Sequence, residues 1–225
     1  MTKGKTLWEM LMEKLEHPVT PQIYNPLNAT IGRFVLIDEP DWKDNKFVLK
    51  EIREYKRTIE SQQFLFADYV LLDQPLGGQD VWVRLRLNPL ENFDAASGTT
   101  HQVLALSLYD DLAYSEELHK VLTDTTKKFQ VIENDQVTEE YWRINDVAGP
   151  YKAQVSVLKD TDQDGKAEQD ERQRQELDYW DYWRETDDGT GHPLMEFLFV
   201  EMDSASGWFQ IWCGREINPR GVLIV

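Results

Sequence analysis

Residues 160 to 171 read Asp-Thr-Asp-Gln-Asp-Gly-Lys-Ala-Glu-Gln-Asp-Glu. Acids at the first, third and fifth positions, glycine at the sixth and glutamate at the twelfth form the D-x-[DN]-x-[DN]-G-x5-E spacing of a calcium loop. Calcium takes about six to eight hard oxygen ligands, and this spacing supplies them. Asp160, Asp162 and Asp164 would each give a side-chain oxygen, Lys166 its backbone carbonyl, and Glu168 a further contact through water. Glu171 would close the site as a bidentate ligand, with Gly165 making the sharp turn. The other reading is a polar β-turn in an acidic protein.

Other chemistry is sparse. The four histidines, His17, His101, His119 and His192, stand far apart, and the single cysteine, Cys213, lies in or just after an apolar run. No zinc spacing, phosphate-binding glycine loop or nucleophile elbow occurs. Cys213 therefore reads as inert core, and no catalytic residue is assigned. Trp180, Trp183, Trp208 and Trp212 form an aromatic cluster in the C-terminal third. It suits either a ligand groove with nearby carboxylates or cross-strand packing, the commoner cause.

The elements that would carry these residues are mostly strands. Val81, Val83, Leu85 and Leu87 alternate with Trp82, Arg84 and Arg86, the period of a strand with two unlike faces. Residues 64–72 form a strongly apolar run, and Asp73-Gln74-Pro75-Leu76-Gly77-Gly78 is turn chemistry, so the two runs make a hairpin. Further strands are expected at 34–37, 47–55, 103–108, 129–132, 141–144, 155–158, 194–202, 208–212 and 221–225. Residues 177–184 fit strand or helix. Lys50, Arg53, Lys56 and Arg57, interleaved with Glu51 and Glu54, read as an exposed strand face.

Two helices are expected. Trp8, Leu11, Met12 and Leu15 fall on one helical face, with Thr6 and Glu9 as a capping box. Pro18, Pro21 and Pro26 end that helix. It packs on the sheet or docks a partner protein. Ser115 caps a short second helix with Leu118, Val121 and Leu122 as its stripe. One internal echo is visible: Asp68-Tyr69 and Asp181-Tyr182 each lead through a glycine-containing turn into a strand.

A net charge of −17 opposes nucleic acid and anionic membranes. Hydrophobic residues at 41% and aromatic residues at 12% place the chain among folding rather than disordered sequences. A lone cysteine allows no internal disulfide and suits a reducing cytoplasm. No run approaches the ~20 apolar residues of a membrane helix, and Glu9 and Glu13 interrupt any leader-like apolar core.

Residues 160–171 resemble the EF-hand loop, but the preceding residues 153–158 alternate as a strand, so the resemblance implies calcium chemistry without the EF-hand fold. The stretch from Met195-Glu196-Phe197-Leu198-Phe199-Val200 through Gly207-Trp208-Phe209 to Gly214-Arg215-Glu216-Ile217 is similar to the end of uncharacterised bacterial proteins encoded near phage-shock-type envelope-stress genes. That resemblance implies a bacterial, cytoplasmic, non-catalytic role and carries no functional residue.

These readings combine into an α+β protein, mainly antiparallel β, a meander of barrel- or sandwich-like form with an N-terminal amphipathic helix. Residues 1–28 would be that helix and an extended connection. Residues 29–225 would be β-rich, with 29–125 and 126–225 as candidate related halves. The expected function is a non-enzymatic protein-interaction module with a protein partner and a structural calcium ion, binding no nucleic acid and not integral to a membrane. The alternative is a ligand-binding or hydrolytic β domain. The oligomeric state is open.

Overall fold

The computed structural model describes residues 23–76, 78–94, 99–124, 127–134, 136–144, 149–160, 168–169, 175–187, 189–203 and 205–225. Long alternating runs become the longest strands: β2 (Phe47–Ile59), β3 (Gln62–Asp73), β4 (Val81–Asp94) and β5 (Thr99–Leu112). The second set is β8 (Tyr151–Lys159), β10 (Gln175–Asp187), β11 (Pro193–Asp203) and β12 (Phe209–Ile217). In the order β2, β3, β4, β5, β12, β11, β10, β8, each strand pairs antiparallel with the next. β8 also pairs antiparallel with β2, which closes the eight into a barrel and leaves none of them a free edge.

The shorter strands branch from this ring. β1 (Phe34–Ile37) pairs with the start of β2 and with β13 (Val222–Ile224). β7 (Gln136–Arg143) pairs with the end of β10 and with β6 (Lys128–Glu133). β9 (Glu168–Gln169) pairs with the end of β8.

The α+β expectation is corrected: the described residues are nearly all antiparallel β, in one thirteen-stranded sheet. Among them the single α-helix is α1 (Glu116–Thr123), which Ser115 caps by accepting from Leu118 N at 3.2 Å. Eight residues cannot form a helical layer; α1 buries Leu122 and serves as a lid on one patch of sheet. The amphipathic helix expected at residues 7–15 lies outside the described residues. No helix among the described residues is long and apolar enough to cross a membrane.

Side-chain alternation sorts each strand into an inner and an outer set. Val83, Leu85 and Leu87 point outward, with Ile52, Tyr69, Leu71, Val103, Ala105 and Ile217 from neighbouring strands. The segment before β2 covers them through Ala29, Val35, Ile37 and Trp42. A second outer core joins Trp180, Tyr182, Leu198, Val200, Phe209 and Ile211 under Phe129, Tyr141 and Leu122.

Residues 177–184 are strand, and their ambiguity has a physical source. β10 is buried on both faces, Tyr179 and Asp181 inward and Trp180 and Tyr182 outward, so no polar alternation marks it. Gly214 permits the tight approach of β12 to β5: a Cβ there would stand 1.9 Å from the Ala105 carbonyl oxygen.

Candidate ligand site in the barrel

The inward set of β4 is Trp82, Arg84 and Arg86, and both arginines are fully buried. Each is matched by carboxylates from other strands. Arg86 Nε and Nη2 donate to Asp68 Oδ1 and Oδ2 at 2.8 and 2.7 Å, a bidentate fork across the β3–β4 pair. Arg84 Nη1 donates to Glu201 Oε2 at 2.7 Å from the far side of the barrel, and Arg84 Nη2 to Gln210 Oε1 at 2.9 Å. The Tyr55 hydroxyl donates to Glu201 Oε2 at 3.3 Å, and Arg86 also donates to the Tyr179 hydroxyl. Flat aromatic faces complete the setting: Arg84 lies 3.9 Å from the Trp212 ring centre and Arg86 4.3 Å from that of Phe199.

Burial by itself opposes ionisation of Glu201, but the charges of Arg84 and Arg86 outweigh it and hold the carboxyl below its ordinary 4.5. Burial raises the Tyr55 and Tyr179 hydroxyls above their ordinary range, so both stay neutral. Desolvation works against the Arg86 cation, yet Asp68 and Tyr179 beside it raise its pKa well above normal. The middle of the barrel is thus an ionic plug.

On one side of the plug the barrel opens into a cavity of about 570 Å³. Arg86 and Tyr179 form its floor, and Phe64, Phe66, Leu104, Phe197 and Phe199 its walls. Arg57 and Asp181 face each other within it, joined by Arg57 Nη1 to Asp181 Oδ2 at 2.7 Å. The Arg57 guanidinium sits among the rings of Phe64, Phe66, Tyr151 and Tyr179, 5.3–5.9 Å from their centres. Asp181 is 2% exposed, and its Oδ1 meets no hydrogen-bond donor among the described residues. Burial raises the Asp181 pKa above its ordinary 3.8, and the charge and hydrogen bond of Arg57 partly offset this. Ile144 at the rim is tied on by its amide, which donates to the Asp181 carbonyl at 3.1 Å.

The opposite mouth holds a smaller cavity of about 370 Å³, lined by Arg53, Asp111, Glu201, Asp203, Trp208 and Gln210 among others. Its polar groups are largely engaged. Arg53 is held by Glu51 at 2.7 Å, and Asp203 accepts from Ala205 N and Ser206 Oγ within its own turn.

The structure distributes the sequence candidates unevenly. Of the residues expected to hold calcium, Asp160 directly follows β8 and Glu168 opens β9, while Asp162, Asp164, Lys166 and Glu171 lie outside the described residues. Lys159 pairs with Glu168 and Leu158 with Gln169, which closes the base of the loop. The four tryptophans do not form one site. Trp180 is in the second outer core, Trp212 is under Arg84 inside the barrel, Trp208 borders the smaller cavity, and Trp183 borders neither. Cys213 is partly buried against the second outer core, and burial pushes its thiol up to about 12, as befits an unreactive group.

Arg53 and Arg57 correct the expectation of an exposed basic face. They point into the barrel, and only Lys56 of that group is well exposed. The two Asp-Tyr pairs of the echo are placed alike: Asp68 and Asp181 are both buried inward carboxylates, and Tyr69 and Tyr182 both face the outer cores.

No protein-family model, curated protein or solved structure matches this chain.

Proposed function

We propose that this protein binds a small, largely apolar molecule in the open end of its barrel. The observation that carries the reading is the aromatic-walled cavity of about 570 Å³ with a few polar groups, the pair Arg57 and Asp181 and the amides Gln63, Asn88 and Gln102. Ligand sites of ~300–1,000 Å³ share this composition, apolar walls giving affinity and a few polar groups giving orientation. The ionic plug supports the reading too, because an interior held by charge-assisted bonds keeps its shape without a ligand.

The test is a fluorescence titration with N-phenyl-1-naphthylamine, an apolar probe that brightens on leaving water. The native protein is expected to show saturable binding. Phe64 stands at the rim and is 41% exposed, so Phe64→Asp spoils the wall without emptying a core. It is expected to weaken binding roughly tenfold or more while leaving the melting temperature within a few degrees. Absence of saturable binding by the native protein would remove the proposal.

A calcium ion on residues 160–171 is a separate proposal, resting on the acid spacing and on the β8–β9 pairing that closes the loop's base. It would be structural, pinning the connection between β8 and β10.

A further inference from the structure

We infer that the molecule taken up in the larger cavity is neutral and presents a hydrogen-bond donor, an N–H or O–H, to Asp181. This rests on the ligand-binding reading above and specifies the ligand's chemical class.

The first observation concerns charge. Four arginines face the barrel interior, and each has a carboxylate partner at 2.7 Å: Arg53 with Glu51, Arg57 with Asp181, Arg84 with Glu201 and Arg86 with Asp68. Arg143 acts on Asp181 from the other side of the wall, in register with outward-facing Tyr182, and donates to the Gly149 carbonyl. Around the larger cavity the charges of the described arginines and carboxylates therefore balance. A charged ligand entering it would lose its hydration without gaining a counter-ion.

The second observation concerns hydrogen bonding. Arg57 satisfies one oxygen of Asp181, while the other is buried in the cavity wall and meets no donor among the described residues. A carboxylate is an acceptor only, and a buried acceptor without a donor is costly. The matching ligand group is therefore an N–H or O–H attached to the apolar body that Phe64, Phe197 and Phe199 enclose. Arg57, held against four aromatic rings, positions Asp181, and its buried Nε likewise meets no acceptor among the described residues.

The experiment compares three probes of one shape by fluorescence titration of the full-length protein. They are N-phenyl-1-naphthylamine, its N-methyl derivative, which lacks the donor, and 1-anilinonaphthalene-8-sulfonate, which adds an anion. The native protein is expected to bind the N–H probe about tenfold more tightly than the N-methyl probe, and more tightly than the sulfonate. The double variant Arg57→Met with Asp181→Leu removes both charges together and keeps apolar bulk. It should bind both neutral probes with the preference between them gone. Equal affinity of the native protein for the two neutral probes overturns the inference and leaves the binding cavity standing. Tightest binding of the sulfonate overturns it in favour of an anion site. Binding of none of the three overturns the cavity reading and the inference together.

Discussion

Replacing Glu201 tests the electrostatic account of the barrel most directly. Its carboxylate is 3% exposed, takes the 2.7 Å bond from Arg84, lies 3.4 Å from Arg86 and accepts from Tyr55. In Glu201→Leu, Arg84 keeps Gln210, the Tyr55 hydroxyl at 3.3 Å and a distant Asp68 carboxylate at 3.7 Å, of which the last alone carries charge. Breaking a buried pair by removing one partner costs ~3–5 kcal/mol, which in a chain of this size lowers the melting temperature by roughly 6–20 °C. The pH dependence has a definite sign. Because the folded-state pKa of Glu201 lies below 4.5, its contribution is fully present above that value and is lost as pH falls through the lower folded value. Urea unfolding of native and variant proteins from pH 7 to pH 3 should therefore show the two stability curves far apart at neutral pH and converging in acid. Adding Arg84→Leu to Glu201→Leu should restore most of the loss, since the unpaired charge is removed with its partner. A single variant that loses less than ~1 kcal/mol at pH 7, or that keeps a constant gap down to pH 3, would refute the claim that the plug is dry and paired.

Three further outcomes are expected. Gly214→Ala should cost ~3 kcal/mol or more by urea unfolding, because its Cβ would stand 1.9 Å from backbone rather than from a movable side chain. On α1, Leu122→Ala should cost ~2–5 kcal/mol and Val121→Ala only ~0.5 kcal/mol, because the first is fully buried and the second 48% exposed. Millimolar calcium after EGTA should raise the melting temperature, by an amount set by ~2.7 kcal/mol at a hundredfold excess over the dissociation constant. Asp160→Ala or Glu171→Ala should abolish that rise; an unchanged native melting temperature would make residues 160–171 a polar turn.

Strand positions could be read from local pattern, but the side of each strand that faces the lumen could not. β4 shows this best. Its period was plain from Val81 to Leu87, yet a sheet facing water would turn Val83, Leu85 and Leu87 to the core and leave Arg84 and Arg86 outside. Here the apolar face is outside the ring, covered by Ala29, Val35 and Trp42, and the arginines are inside. The compensating acid for Arg84 is Glu201, 117 positions away, and the one for Arg57 is Asp181, 124 away. No window along the chain joins such partners. Arg57 instead looked solvated because Glu54 and Lys56 flank it, although those two point outward while it points in. The acid spacing of residues 160–171 was legible because those residues are contiguous. The cavity was not, because Phe64, Leu104, Asp181 and Phe199 come from four strands that meet only when β8 closes on β2.

That inversion has an energetic logic. Buried ion pairs roughly break even against apolar groups of the same volume, so the plug adds little net stability however short its bonds. The folding free energy comes instead from apolar burial: Val83, Leu85 and Ile52 in one outer core, Trp180, Val200 and Phe209 in the other, and Tyr55, Phe66, Val155, Leu104 and Leu106 inside the barrel lose nearly all their exposure. A barrel whose strands are also covered from outside does not need every part of its lumen filled. It can leave the end above Arg86 and Tyr179 open and line it with Phe64, Phe197 and Phe199. The same division implies that paired removal of charges inside should be tolerated, whereas truncation of either outer core should not. Binding is then separable from stability at a rim position such as Phe64, but not at Phe66, Leu104, Tyr179 or Phe199, which line the cavity and also pack in the buried clusters inside the barrel.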